Sequence, residues 1–475
     1  MIWQYGRELL ALAFVVVLGY GVVATVLGRL IRLLPRVELL SYSLALGVGV
    51  LGAGMLILST LHVPFSLPTI LWVGAAPLVL LLRLRLLKPR DTARATGSDP
   101  GSGPPAQEGF SCAIALPRPL VYSLLAVTLA FVLIGCLSEP TAEVDAVGAW
   151  ALHAKVFFYE RTAFPEYLTS GACGPVVSHW PPLLPLLETW IHLGMGGYDD
   201  LKVKVVFFLI YAAMLGLVFG TLKRLIGASY GAAMLVLIAT APAIIVPFPS
   251  GSVASAHADV PLAMFLAGTT GLLISWLARD NLRYLLLASL LIASAMWLKR
   301  EGLVLACISG ALVWFLALRR AGRSRRARVV PALLFTLAPA VSVFLLGLYK
   351  SRFPGAFAGD TLEIGRFLSA ESALRFVKLA GYLALEAVNP VKWGFLWLLL
   401  LTLVTLRVRQ AGSRIIALPL AVMVGHVAVA LAFMAISGYS VRHHVNLDMR
   451  RVLIQIAPVA ALTVGLLSAS SERLR

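Results

Sequence analysis

Runs of about twenty apolar residues recur along the whole 475-residue chain, each long enough to cross a hydrocarbon core roughly 30 Å thick. With 60% hydrophobic and only 13% charged residues, the chain reads as an all-α polytopic membrane protein with about thirteen transmembrane helices. The first apolar run, Leu9 to Leu27, has no basic leader and no small-residue cleavage site. It therefore reads as a span rather than a signal peptide.

The placement of charge carries more than the +18 balance of 40 basic and 22 acidic residues. Basic clusters fall at Arg29/Arg32/Arg36, Arg83/Arg85/Lys88, Lys223/Arg224, Arg279/Arg283, Arg319 to Arg328 and Arg407/Arg409/Arg414, which are alternate loops. By the positive-inside rule those loops face the cytoplasm. Loops 138–200, 248–259, 350–392 and 437–451 then face outward, as does the amino terminus. Basic groups spread as topology signals argue against a nucleic-acid partner. The four cysteines, Cys112, Cys136, Cys173 and Cys307, show no metal-ligand spacing.

Three regions follow. Residues 1–87 form a three-span leader, residues 88–117 a Gly/Pro/Ser-rich flexible cytoplasmic linker, and residues 118–470 the membrane body. Loop 138–200 is the one long polar interruption, and it holds eight of the 22 acidic residues. Within it, 143–160 and 182–193 read as amphipathic helices lying on the membrane surface, with 371–387 a third. Trp150, Val156 and Phe157 would form the apolar flank of the first, with Asp145, Lys155 and Tyr159 on the other.

Chemistry is sought at that polar island. Asp145 follows the fourth span closely, with Glu139 and Glu143 beside it, and suits a general base; a solvated acidic loop is the bland alternative. His179 and Trp180 precede a Pro-Pro that starts a helix, and a Trp face there suits a sugar ring. Lys299 and Arg300, with Glu301 next, sit on the outer side where the topology rule disfavours cations, as do Arg450 and Arg451. A lipid phosphate at the headgroup level would explain them; snorkelling is the alternative. His443 and His444 are adjacent, hence a poor metal pair, and no metal site or cofactor is expected. His257 and Asp259 lie at a polar helix start.

The segments EVDAVGAWALHAKVFF, HWPPLLPLLETW, HADVPLAMF, WLKREGLVLA and HHVNLDMRRVLIQIAP, in that order, resemble the bacterial GT-C superfamily of integral-membrane glycosyltransferases, the protein mannosyltransferase-like and lipopolysaccharide-modifying enzymes that use polyprenyl-phosphate sugars. The resemblance covers about residues 119–460. It implies a many-span fold with juxtamembrane helices in the first outer loop, and a catalytic acid there that maps to Asp145, with Glu143 as fallback. It also implies a polyprenyl-phosphate sugar donor, an envelope lipid, glycan or protein acceptor, and an inverting transfer. Relatives often read Lys-Asn-Glu-Gly where this chain has Lys299 to Gly302, and a Trp where it has His443. Lys299, Arg300, Arg450 and Arg451 would then bind the donor phosphate, with Lys155, Tyr159, His179, Trp180, His257, Asp259, Glu301 and His444 lining the pocket. A flippase or secondary transporter of lipid-linked saccharide is the main alternative, and an envelope glycan polymerase or ligase a weaker one. A transporter wants ionisable groups at mid-membrane, whereas here they gather at the outer edge.

Overall fold

The computed structural model describes residues 2–76, 117–170, 180–246, 251–319, 324–353 and 369–469. All secondary structure among them is helical. The sixteen helices of nine residues or more are α1 (Ile2–Leu27), α2 (Arg36–Thr60), α3 (Leu67–Ala76), α4 (Arg118–Ser138), α5 (Leu152–Glu160), α6 (Leu183–Met195), α7 (Val205–Leu225), α8 (Ala228–Ala239), α9 (Asp259–Arg279), α10 (Leu282–Leu298), α11 (Arg300–Leu318), α12 (Arg325–Lys350), α13 (Ala370–Ala387), α14 (Leu396–Leu406), α15 (Arg414–Ile436) and α16 (Val441–Ser468). Among the described residues nine of these, α1, α2, α4, α7, α9, α11, α12, α15 and α16, are long and apolar enough to cross a membrane. The other four segments that read as spans coincide with the shorter apolar helices α3, α8, α10 and α14. All of the expected linker except Pro117 lies outside the described residues.

Helices α9 and α16 are the most deeply buried of the nine, α9 from Asp259 to Trp276 and α16 from Arg451 to Leu467. Helix α9 packs against α7, α10 and α16, and α16 against α13, α14 and α15. Helices α1 and α2 join this core rather than flank it. A Cβ on Gly19 would lie 1.8 Å from the Ser43 carbonyl oxygen, and one on Gly47 1.9 Å from that of Val15, so only glycine permits the two backbones to approach so closely. Tyr42 of α2 donates to the Gly268 carbonyl in α9 at 3.3 Å.

Helix α6 departs from the surface-helix expectation. All thirteen of its residues are buried. Thr189 and Trp190 donate to the Ala154 and Ala11 carbonyls at 3.2 and 3.0 Å, so these buried donors are satisfied by protein. Helix α16 also begins earlier than the 437–451 loop allowed. Ser440 caps it by accepting from the His443 amide, which puts Arg450 and Arg451 inside the helix.

Candidate functional site

A single carboxylate organises the site. Asp259 stands in the first turn of α9 with no exposed surface. Lys299 donates from Nζ to its Oδ1 at 2.6 Å, Gln455 donates from Nε2 to the same oxygen at 2.6 Å, and Arg451 donates from Nε to Oδ2 at 2.9 Å. Three donors from two other places in the chain thus converge on one buried anion, the arrangement a buried charge requires.

Local backbone explains each position. Lys299 is the single extended residue (φ −155°, ψ 152°) between α10 and α11. The hairpin closes because a Cβ on Gly302 would fall 2.1 Å from the Ala295 carbonyl oxygen, a space only glycine leaves open. Arg451 and Gln455 are one turn apart on α16 and so share a face, which extends back through Asp448 to His444. Ala256, at φ 57°, takes the left-handed conformation rare for a side-chain-bearing residue, and turns His257 in towards Asp259 just before α9 starts.

Asp145 completes the constellation from the first outer loop. It precedes a π-helical turn, Ala146–Ala151, of a kind that recurs at functional sites. Its side chain is half exposed, and Arg451 donates from a terminal nitrogen to Asp145 Oδ2 at 2.8 Å. Among the described residues, Oδ1 of Asp145 accepts no hydrogen bond. Arg451 therefore bridges a fully buried carboxylate and a solvent-facing one. Glu301 accepts from Lys299 at 2.8 Å, and His444 donates from Nδ1 to Asp448 at 2.6 Å, with Asp448 4.0 Å from Arg451.

An aromatic group lies against the same network. Trp150, in the π-helical turn, sits 5.5 Å from Trp180 and 5.6 Å from His257 between ring centroids, and the Arg300 guanidinium lies 5.3 Å over Trp180. Burial, and then the nearby Arg451 charge, hold the His257 imidazole well below its ordinary pKa, hence neutral.

Of the residues singled out in the sequence, Asp145, Asp259, Lys299, Glu301, Arg451, His257, Trp180, Arg300 and His444 thus fall in one region. Arg450 does not; consecutive helical residues diverge by about 100°, and its Nε lies 3.8 Å from Glu386 on α13. Lys155 lies 5.4 Å over the Tyr198 ring and the exposed Tyr159 stacks near the same ring, so both belong to a second aromatic group with His192. Glu143 is half-buried two residues before Asp145, and His179 lies outside the described residues. Lys299 and Arg451 are buried and ion-paired, which removes snorkelling as their explanation. Trp150 and Gln455 are contributions that sequence reasoning did not assign to the site, as is His426, whose Nε2 donates to Gln455 Oε1 at 2.8 Å. For Gln455 the signal was present, since 444, 448, 451 and 455 follow helical spacing and Gln455 is the one polar residue in the apolar run from Val452 to Leu462.

No group of three or more potential metal ligands occurs among the described residues. No family model and no curated protein matches the chain. Among solved structures it is similar to the archaeal oligosaccharyltransferase AglB from Archaeoglobus fulgidus, in a complex with an inhibitory peptide and a dolichol-phosphate, at 12% identity and a TM-score of 0.42. The match covers 73% of this chain and spans half the length of that one.

Proposed function

We propose that the protein is a membrane glycosyltransferase that moves a sugar from a polyprenyl-phosphate donor to an envelope lipid, glycan or protein acceptor at the extracytoplasmic face of a bacterial cytoplasmic membrane. The observation that carries this reading is the Arg451 bridge, which ties a half-exposed carboxylate to a buried one beside a second buried cation, Lys299. The acceptor hydroxyl attacks the anomeric carbon, Asp145 takes its proton, and the bond from that carbon to the phosphate oxygen breaks with its electron pair leaving on the polyprenyl phosphate. Displacement from the opposite face inverts the anomeric centre. A phosphate leaving group needs no strong general acid, so one carboxylate and preorganised cations suffice.

The local charge imposes an order on these events. Asp145, Asp259, Glu301 and, at 4.0 Å, Asp448 face Lys299 and Arg451, four carboxylates against two cations, so an arriving phosphate must compete for a guanidinium already engaged. Asp145 is the partner it displaces, because Asp259 has no solvent to retreat into. Release of Oδ2 then frees the base as the donor binds.

Purified full-length protein in lipid nanodiscs, given radiolabelled undecaprenyl-phosphate sugars and an envelope glycolipid extract, tests the reading. Wild-type protein transfers label, and Asp145→Asn lowers the rate by roughly 100-fold or more. Near-normal turnover in that variant, with loss in Glu143→Gln, moves the base to Glu143. Absence of transfer with every donor, together with lipid-linked sugar crossing sealed vesicles, replaces glycosyl transfer by flipping, a reading the buried Gln455–His426 pair would then serve.

A further inference from the structure

Trp150 and His257 carry three polar atoms, Nε1 of the indole and both imidazole nitrogens, that have no hydrogen-bond partner among the described residues. The two residues are only 0% and 1% exposed, so bulk solvent does not reach them. Asp259 Oδ2 lies 3.9 Å from His257 Nδ1, beyond hydrogen-bond reach. Orphaned buried polar atoms are a standing cost, and here they occur on two touching rings beside Arg451, where the chain carries every other element of a site.

The chemistry of the set narrows the ligand. A neutral imidazole offers one N–H and one bare nitrogen, and indole offers a second N–H. Two donors and one acceptor match hydroxyl groups, each of which donates and accepts; an ionised phosphate only accepts and leaves the bare nitrogen unmet. Trp180 adds an aromatic face at a tilt to Trp150. The three orphaned atoms carry no charge for an ionised sugar group to meet, and the ions around them are engaged elsewhere, Lys299, Arg451, Asp259, Glu301 and Asp145 with one another and Arg300 over the Trp180 ring.

We propose that Trp150, His257 and Trp180 form the seat of the donor's sugar and that this sugar is an uncharged, hydroxyl-bearing ring. The inference rests on the glycosyl-transfer reading and adds to it the class of sugar and the residues that recognise it. Because the three atoms are closed off, the ring reaches them when the half-buried Trp180 side chain swings away from Trp150.

The test compares binding of undecaprenyl phosphate with that of its glucosyl, mannosyl, galactosyl and 4-amino-arabinosyl derivatives to full-length protein in nanodiscs. Wild-type protein binds at least one uncharged glycosyl lipid about tenfold tighter than the bare lipid, the increment of one to two buried hydrogen bonds made good. His257→Leu removes both nitrogens at similar volume, Trp150→Phe removes the indole N–H while keeping a ring, and each brings the ratio below about threefold. Thermal unfolding of both variants shows which of them is folded, and either one alone decides the matter. Full retention of the ratio in a folded variant overturns the seat, with buried water then satisfying these atoms, while leaving glycosyl transfer standing. A ratio near one for every sugar in wild-type protein, or preference for the amino sugar alone, also overturns it. Failure to bind any of these lipids overturns the glycosyl-transfer reading itself.

Discussion

Lys299, Gln455 and Arg451 all donate to Asp259, so its charge ties the start of α9 to the end of α10 and the first half of α16. Removing one partner of a buried ion pair costs about 3–5 kcal/mol when the other charge is stranded. In Asp259→Asn that cost is eased, because Arg451 keeps Asp145 and Lys299 keeps Glu301. The expected outcome is a folded protein with a lower unfolding midpoint and transfer reduced at least about tenfold in kcat, since Arg451 loses the contact that orients it. An unchanged midpoint and unchanged kcat in detergent-solubilised protein would remove Asp259 from both roles. Arg451→Met and Lys299→Met follow the same logic with an added readout. Each weakens donor binding by about 1.5–3 kcal/mol if the cation meets the phosphate, and each also lowers the melting midpoint, because Asp259 has lost a counter-charge. A donor titration that moves in neither variant sinks the phosphate role and leaves a purely structural network. The charged residues that meet at Asp259 were legible as candidates because charge is rare in such a chain and cations outside the basic loops stand out. Their partners were not: Asp259 to Lys299 spans 40 residues and Asp259 to Arg451 spans 192, and no local pattern reports such pairings.

Among the helices, α6 shows why hydrophobic pattern and burial diverge. An apolar stretch broken by Glu188 and His192 scans as amphipathic, yet both residues are buried along with the rest. Burial raises the Glu188 pKa from 4.5 to about 8 and lowers that of His192 from 6.5 to about 4. For Glu188 the folded state holds the extra proton, so its stabilising contribution is full below about pH 4.5 and is lost as pH rises through 8. For His192 the unfolded state binds the extra proton between pH 4 and 6.5, so stability falls as pH drops through that window. The two slopes oppose each other from about pH 4.5 to 6.5 and leave a net loss from 6.5 to 8. Glu188→Gln removes that loss, and its melting midpoint relative to wild type should be higher at pH 8 than at pH 5. A pH-independent difference would mean that Glu188 is not a buried neutral acid. The α10–α11 hairpin, by contrast, was legible as a boundary, since Lys299 to Gly302 interrupts two apolar runs. Its sharpness was not, because the one-residue connection depends on the contact of Gly302 with Ala295.

At the scale of the whole molecule, polar contacts collect at the two ends of the bundle. The catalytic candidates occupy the start of α9, the end of α10 and the first half of α16. At the far end of α9, about 30 Å away for 21 residues at 1.5 Å each, lie the contacts of the basic loops. There Arg224 pairs with buried Glu38 at 2.7 Å, Arg283 donates to the Leu27 carbonyl at 2.9 Å, and Arg407 donates to the Ala469 carbonyl at 2.8 Å. Arg283 and Arg407 thus cap helix ends there, and Arg224 ties the end of α7 to the start of α2. In a variant lacking the four cysteines, single Cys residues at positions 141 and 438 are expected to react with a membrane-impermeant maleimide in intact cells, and one at 325 only after permeabilisation. The site requires this orientation if its donor is presented at the outer leaflet, because Asp145, Asp259, Lys299 and Arg451 all cluster at the end that bears residue 141. Labelling at 325 in intact cells would invert the molecule and place the Arg451 bridge at the cytoplasmic surface, where nucleotide sugars rather than lipid-phosphate sugars would be the accessible donors.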